Sequence, residues 1–502
     1  MCLCAYVVFV LARFPGTILA TLLNPDPFDF ETRDKNHCYS NTNAPMPIKV
    51  LMLGWEYPPH IAGGLGIACH GLSESLKEEG VQITFVVPHL SGDEDKSRIN
   101  LISASSVPIS LASTRNNVST TIPDEVNTTI LVESTLSSYN LAHVEESISN
   151  FQHWNNQILT EVNDVDHETS VTTSTYNFKG GYGKELLREV SRYADVVEEI
   201  ARTSDFDIIH AHDWMTYPAG LAASRLTGKP LVVHVHATEY DRAGDGGSRA
   251  VYDIEQTAME ECASIVAVSK WTSDVLVSKY HADRSKIHVV HNGIFRAKET
   301  TERTCSPVAD KFVTFLGRIT FQKGPEYFVD SAKKVLKEFP DCHFIMAGSG
   351  DALPAMIHRV ASAGMSSNFH FTGFLNKKDI DRLLSFTNVY VMPSVSEPFG
   401  ITPLEAIQAN VPVIISKQSG VSEVIDNALK VDFWDTDALA QAICSILEHK
   451  SLAETLKKNA LQDLSSITWN SAAKKIKRLY YETISAGLPV EQADLPAGQA
   501  GS

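Results

Sequence analysis

The chain has 502 residues, 43% of them hydrophobic and 21% charged, with 60 acidic against 43 basic residues and a formal charge of -17. That length divides into two or three domains, and the apolar fraction is enough to give each a core, so a wholly disordered chain is excluded. The acidic balance, with no basic run to offset it, also excludes a general nucleic-acid coat, which needs positive charge to meet a phosphate backbone.

In chain order, residues 1–46 read as a disordered leader. Ala5 to Leu23 is apolar, but Arg13 and Pro15 interrupt it and no basic segment precedes it, which argues against a signal peptide or anchor. Membrane contact is not indicated. Eight scattered cysteines without a CxxC pair read as free thiols of a reducing compartment, so a cytoplasmic location is expected. From Ile48, short apolar runs alternate with amphipathic stretches, the pattern of a parallel sheet covered by helices. Strands are expected at Ile48 to Leu53, Ile83 to Val87, Asp207 to Ala211, Leu231 to Val235, Ser264 to Val268 and Ile287 to Val290. The alternation restarts at Phe312 to Leu316, His343 to Ala347, Phe369 to Phe371, Val389 to Met392 and Val413 to Ile415, with helices from near Pro325, Leu353, Lys378, Ile401 and Ser419. Two Rossmann-like, doubly wound α/β domains facing across a cleft fit this better than one sheet of eleven strands. The N-terminal domain is placed at 47–295, with a Ser/Thr-rich insertion of weak structure or a mobile lid at about 102–175. A polar linker at 296–311 leads to a second domain at 312–467, and a Pro, Ala and Gly-rich tail over 486–502 is expected to be disordered.

Four segments carry chemistry. Pro58 to Gly66, with Gly63 and Gly64, follows a strand and opens a helix, where bare backbone and free N–H groups suit an anion or a sugar hydroxyl. A tight turn without a ligand is the plainer reading, and an NAD site is disfavoured because the glycines are not a GxGxxG set. His210-Ala211-His212-Asp213-Trp214 and His234-Val235-His236 end two strands. Alternation places each histidine pair on one face, where zinc would be conceivable, but the adjoining Asp213 does not fit known ligand spacings. His210 and His234 read as buried, whereas His212, Asp213 and His236 lie nearer the loops and are the better functional candidates. Gly317 to Gly324 puts Arg318 and Lys323 on a loop before a helix, an anion site suited to a diphosphate, or else a solvated basic loop. Pro393 to Glu405 holds Glu397 and Glu405 eight residues apart, one before a helix and one inside it, able to face one cleft at different depths.

Together these residues resemble the retaining GT-B glycosyltransferases, in particular family 4 and its relatives the glycogen and starch synthases, over roughly Ile48 to Ile484. Glu397 and Glu405 match the family's E-x7-E motif, Arg318 and Lys323 its diphosphate-binding pair, and Gly63 and Gly64 its glycine loop. His212 to Trp214 resembles the synthases' sugar-site signature, and His236 falls where the family keeps a histidine at the donor sugar. The resemblance implies a hexosyltransferase whose catalytic residues are His236, Asp213, Arg318, Lys323 and Glu397. Donor binding by Gly63, Gly64, Arg318, Lys323, Glu397, Phe399, Gly400, Leu404 and Glu405 goes with it, and so does a helix at 468–485 crossing back to the first domain. It further implies ADP- or UDP-glucose as donor, a glycan acceptor and neither cofactor nor metal. A family 4 enzyme with a lipid-linked or small-molecule acceptor, a silent nucleotide-sugar-binding protein and a GT-B-shaped epimerase are the alternatives. The chain departs from the synthases at Ile61, where they carry a lysine, and at His291 to Phe295, where an expected acid is missing.

Overall fold

A computed structural model describes residues 47–60, 63–95, 99–113, 170–180, 183, 185–295 and 311–486. The leader, the interior of the insertion, nearly all of the linker, Ile61 and all but the first residue of the tail lie outside the described residues.

The first half builds strands β1 (Lys49–Leu53), β2 (Gln82–Val87), β3 (Asn100–Ser103), β4 (Ile109–Ser113), β5 (Ser170–Ser174), β6 (Ile208–His212), β7 (Leu231–Val235), β8 (Ser264–Ala267) and β9 (Ile287–Val289). Seven of them form a parallel sheet in the order β3-β2-β1-β6-β7-β8-β9. β6 and β7 are buried along their whole length, because helices cover both faces of a parallel sheet. One face packs against helices Leu186–Thr203, Tyr217–Thr227 and Arg249–Glu261. The other packs against Gly64–Glu78 and the final helix, Trp469–Ala486, which buries Trp469, Ala473, Ile476 and Tyr480 beside Val50 and Met52.

The second half builds β10 (Phe312–Leu316), β11 (His343–Ala347), β12 (Phe369–Gly373), β13 (Val389–Met392), β14 (Val413–Ser416) and β15 (Leu429–Val431), paired in parallel as β12-β11-β10-β13-β14-β15. The strand order reverses between β1 and β6 in one sheet and between β10 and β13 in the other. Ligands of open α/β sheets bind at such switch points, beyond the C-terminal ends of the strands. No described helix is long and apolar enough to cross a membrane.

Three details differ from the sequence reading. The ends of the Ser/Thr-rich insertion form an antiparallel pair, β4 with β5, in which Leu111 faces Thr172. β3 and β15 were also not expected, being only four and three residues long with a polar residue inside or at the end. The helix expected from Ser419 is only a short 3-10 turn, Gly420–Glu423. There the Gly420 and Val421 amides donate to the carbonyls of Glu397 and Phe399 at 2.9 and 2.6 Å, which diverts the start of the segment from helical bonding.

Candidate active site

The N-terminal face of the site grows from the ends of β6 and β7, whose register sets His212 beside His234. The four imidazoles form a stack, with ring centroids 4.4 Å apart for His210 and His212 and 4.2 Å for His234 and His236. His212 Nδ1 lies 2.9 Å from His236 Nε2, His210 Nε2 lies 3.2 Å from His234 Nδ1, and His210 Nδ1 meets the Tyr480 hydroxyl at 2.6 Å. Burial holds His210 and His236 at a pKa of about 3 and lowers His212 and His234 strongly. The stack is therefore uncharged at neutral pH. His212, expected near the loop surface, is wholly buried, whereas His236 stays partly exposed.

Asp213 adopts φ 60°, a left-handed conformation uncommon outside glycine. That bend turns its carboxylate onto the neighbouring strand end, where Oδ1 accepts from the backbone N–H of His236 at 2.7 Å and of Ala237 at 3.3 Å. Burial raises its pKa to about 6, and the charges of Arg242 and, less strongly, Arg318 oppose the rise. Asp213 is thus built into the His236 turn and is only 4% exposed. After β1, Gly63 is the N-cap position and Gly64 the first residue of helix Gly64–Glu78, which has no side-chain N-cap. A Cβ at either glycine would meet no described atom within 4 Å, so packing among the described residues does not require glycine there.

The C-terminal face lies at the second switch point. After β10, Arg318 is exposed and Lys323 ends the turn Phe321–Lys323. After β13, the Val395 amide donates to Gln322 O at 2.9 Å, which ties the two loops together. Lys323 Nζ contacts Glu397 Oε2 at 2.5 Å, and the Ser394 hydroxyl donates to the same oxygen at 3.1 Å. Gly400 has φ 100°, and its Cα lies so near that an added Cβ would stand 3.2 Å from Glu397 Cγ, so the turn demands glycine. Glu405 lies inside helix Thr402–Gln408, where burial raises its pKa and Lys377 Nζ contacts Oε1 at 3.2 Å.

The side chains of Phe399 and Leu404 are buried in the core with Met392 and Ile415, which leaves their backbone to meet a donor. Ser394, Lys377, Asp241 and Arg242 were missed by the sequence reading. The first two hold the glutamates, and Arg242 Nη2 donates to Ala237 O at 2.8 Å beside the His236 turn. Arg242 follows His236 by six residues, but periodicity carries no signal for a contact made back across a turn. Helix Glu239–Ala243 packs against the Phe321–Lys323 turn, which brings the His236 turn and the Lys323 loop face to face.

Cys69, His212 and His236 have potential ligand atoms all within 4.8 Å of one another, as do His210, His212 and His234. In the first set one nitrogen each of His212 and His236 is engaged with the other, while His212 Nε2 and His236 Nδ1 are buried without a hydrogen-bond partner, and burial drives the Cys69 thiol well up, away from the thiolate a soft metal needs. His60, Asp93 and Glu94 form a third set; His60 and Asp93 are exposed, and Glu94 accepts backbone bonds from Ser91 and Gly92 at 2.7 and 2.9 Å.

Two family models match in tandem, Glycosyltransferase Family 4 over residues 164–297 and Glycosyl transferases group 1 over residues 298–463. Alpha-maltose-1-phosphate synthase of Mycolicibacterium smegmatis is 31% identical over 274 residues, covering 48% of this chain and 69% of the relative. Glycogen synthase of Mycobacterium tuberculosis is 23% identical over 441 residues, covering 86% and 94%. Among solved structures, sucrose-phosphate synthase from Thermosynechococcus elongatus superposes with a TM-score of 0.62 at 16% identity, covering 88% of this chain and 100% of that one.

Proposed function

The chain belongs to the GT-B glycosyltransferases, and from that premise we propose that it is a retaining hexosyltransferase moving glucose from ADP- or UDP-glucose to a glucan. The observation that carries this reading is the Lys323–Glu397 pair at 2.5 Å, set at one switch point and facing the His236 turn of the other sheet. Cleavage of the anomeric bond gives the departing diphosphate negative charge and the sugar oxocarbenium character. Arg318 and Lys323 supply fixed positive charge to the first. Glu397 receives sugar hydroxyls and shares Lys323 with the diphosphate, while Glu405, deeper in the helix, receives the ribose.

His236 is neutral at physiological pH, so it acts as a hydrogen-bonding group that orients the sugar and not as a cation. Asp213 holds its backbone in place. Gly63 and Gly64 leave bare backbone at the entry of helix Gly64–Glu78, where the donor phosphate or acceptor approaches. No divalent ion is needed, because the paired cations neutralise the leaving group. Retention rests on the E-x7-E resemblance, and the glucan acceptor on the likeness to glycogen synthase. A small phosphorylated acceptor is the second reading, favoured by the 31% identity to alpha-maltose-1-phosphate synthase. The proposed location is the cytoplasm, supported by the buried free thiols Cys69, Cys262, Cys342 and Cys444.

The test is diphosphate release from a panel of nucleotide sugars, alone, with glucan and with glucose 1-phosphate, followed by NMR of the product's anomeric proton. Release stimulated by glucan with an α-linked product supports the reading. Transfer only to the sugar phosphate selects the second, and an inverted product ends the retaining assignment.

A further inference from the structure

Between the two faces lies a carboxylate to which the reaction gives no role. Asp241 is buried on the short helix Glu239–Ala243, five residues beyond His236. Its Oδ2 accepts from the Thr238 amide and hydroxyl, both at 2.8 Å, which closes the turn that follows His236. Its Oδ1 accepts the hydroxyl proton of Ser396 at 2.5 Å, from the other domain. Ser396 is also buried, and its oxygen accepts the indole N–H of Trp271 at 3.2 Å. Trp271 can only donate and an ionised Asp241 can only accept, so the single hydroxyl proton orders the chain of bonds from indole to serine to carboxylate.

The residue after Ser396 is Glu397. Its amide donates to Gln418 O at 3.0 Å and its carbonyl accepts from Gly420 N at 2.9 Å, so its backbone cannot drift independently of its neighbours. Ser394 bonds the Glu397 carboxylate from within the same domain, whereas both partners of Ser396 belong to the first domain. We propose that Ser396 is a positioning residue that sets the distance between Glu397 and His236 by bridging Asp241 and Trp271 across the cleft. The proposal rests on the assignment of His236 and Glu397 to the transfer reaction. Ser396 touches no substrate; it acts through the placement of its neighbour, where a displacement of about 1 Å is enough to cost up to a hundredfold in rate.

The test combines kinetics with an indole measurement that does not depend on turnover. Ser396→Ala should lower kcat about tenfold or more while donor KM moves less than about threefold, because binding contacts survive but the reacting geometry loosens. Ser396→Thr, which keeps the hydroxyl, should recover most of the rate. Gln408→Ala removes a different interdomain bond, to Phe295 O at 2.6 Å, and should leave kcat unchanged. In 15N spectra the Trp271 indole signal, assigned with Trp271→Phe, should shift and exchange faster in Ser396→Ala than in wild type. An unmoved indole signal overturns the bridge, and an unchanged kcat, or an equal loss in Gln408→Ala, overturns the positioning role. Should Ser396→Ala fail to fold, Trp271→Phe removes the indole donor to Ser396 while keeping an aromatic ring against the core, and must show the same kcat-selective loss for the proposal to stand. A wild-type protein that turns over no nucleotide sugar would overturn the functional reading, and the indole signal would then decide the bridge by itself.

Discussion

The two faces of the cleft solve opposite electrostatic problems. The imidazole stack on β6 and β7 is neutral: burial strips the four rings of charge, and the Asp213 carboxylate beside it is taken up by backbone amides. The face on β10 and β13 is ionic, with Lys323 against Glu397, Lys377 against Glu405 and Arg318 exposed between the loops. Each face also uses a different part of the fold. Rigid strand register builds the neutral one, where the proposed function places the sugar ring. Loops at a switch point build the ionic one, where the proposed function places the diphosphate. If this division is right, changes on the ionic face fall on catalysis and changes in the buried stack fall on stability and its pH dependence.

The largest expected effect is on the ionic face. Arg318→Ala and Lys323→Ala should each lower kcat about a hundredfold or more, since both contacts strengthen as the diphosphate gains charge. Thermal unfolding of the Arg318 variant should stay near wild type, because that side chain is exposed. Wild-type turnover in either purified variant would break the diphosphate assignment.

The glutamates should separate next. Glu397→Gln, which the proposed function sets at the reacting centre, should reduce kcat by about tenfold or more, while Glu405→Gln should raise donor KM by more than it lowers kcat. Steady-state kinetics that gave the reverse pattern would mean that the two depths of the cleft have been exchanged.

The neutral face is tested by pH. His210 titrates at about 3 when folded and near 6.5 when unfolded, so its neutral form contributes stability above 6.5 that is lost as pH falls toward 3. His210→Asn, able to keep a bond to Tyr480, should make that fall shallower by up to about 1.4 kcal/mol per pH unit in urea titrations. An identical slope would mean that the imidazole is charged in the folded chain. The smallest expected effect is none at all: a metal-stripped enzyme in excess EDTA should keep its turnover. Lost activity restored by manganese or magnesium would move the catalytic charge from the two cations to an ion and sharpen interest in Cys69, His212 and His236.

Local pattern was sufficient for much of this molecule. Short continuous apolar runs bounded by turns located most of the strands that build the two sheets, because a strand buried on both faces has to be apolar along its length whatever surrounds it. The ends of those strands then marked the loops bearing His236, Arg318, Lys323 and Glu397, since ligands in open α/β sheets meet the C-terminal edge. Segments that are short or polar, such as β15 and the β4–β5 pair, escaped because their stability comes from a partner strand and not from their own composition. The turn at Gly420–Glu423 escaped for the same reason: its first amides are claimed by Glu397 and Phe399, about twenty residues earlier.

What the amino-acid order determined by itself was therefore which residues reach the cleft edge and which chemical types stand there. Tertiary structure alone decided their state and their partners. It buried His212 and neutralised the stack, turned Asp213 onto the backbone of His236, drew Phe399 and Leu404 into the core, and gave each glutamate its lysine. It also set Asp241 against Ser396 across 155 positions of chain. Periodicity reports only the face a side chain takes within its own element, whereas desolvation, ion pairing and hydrogen-bond direction depend on atoms that the fold brings together from distant segments.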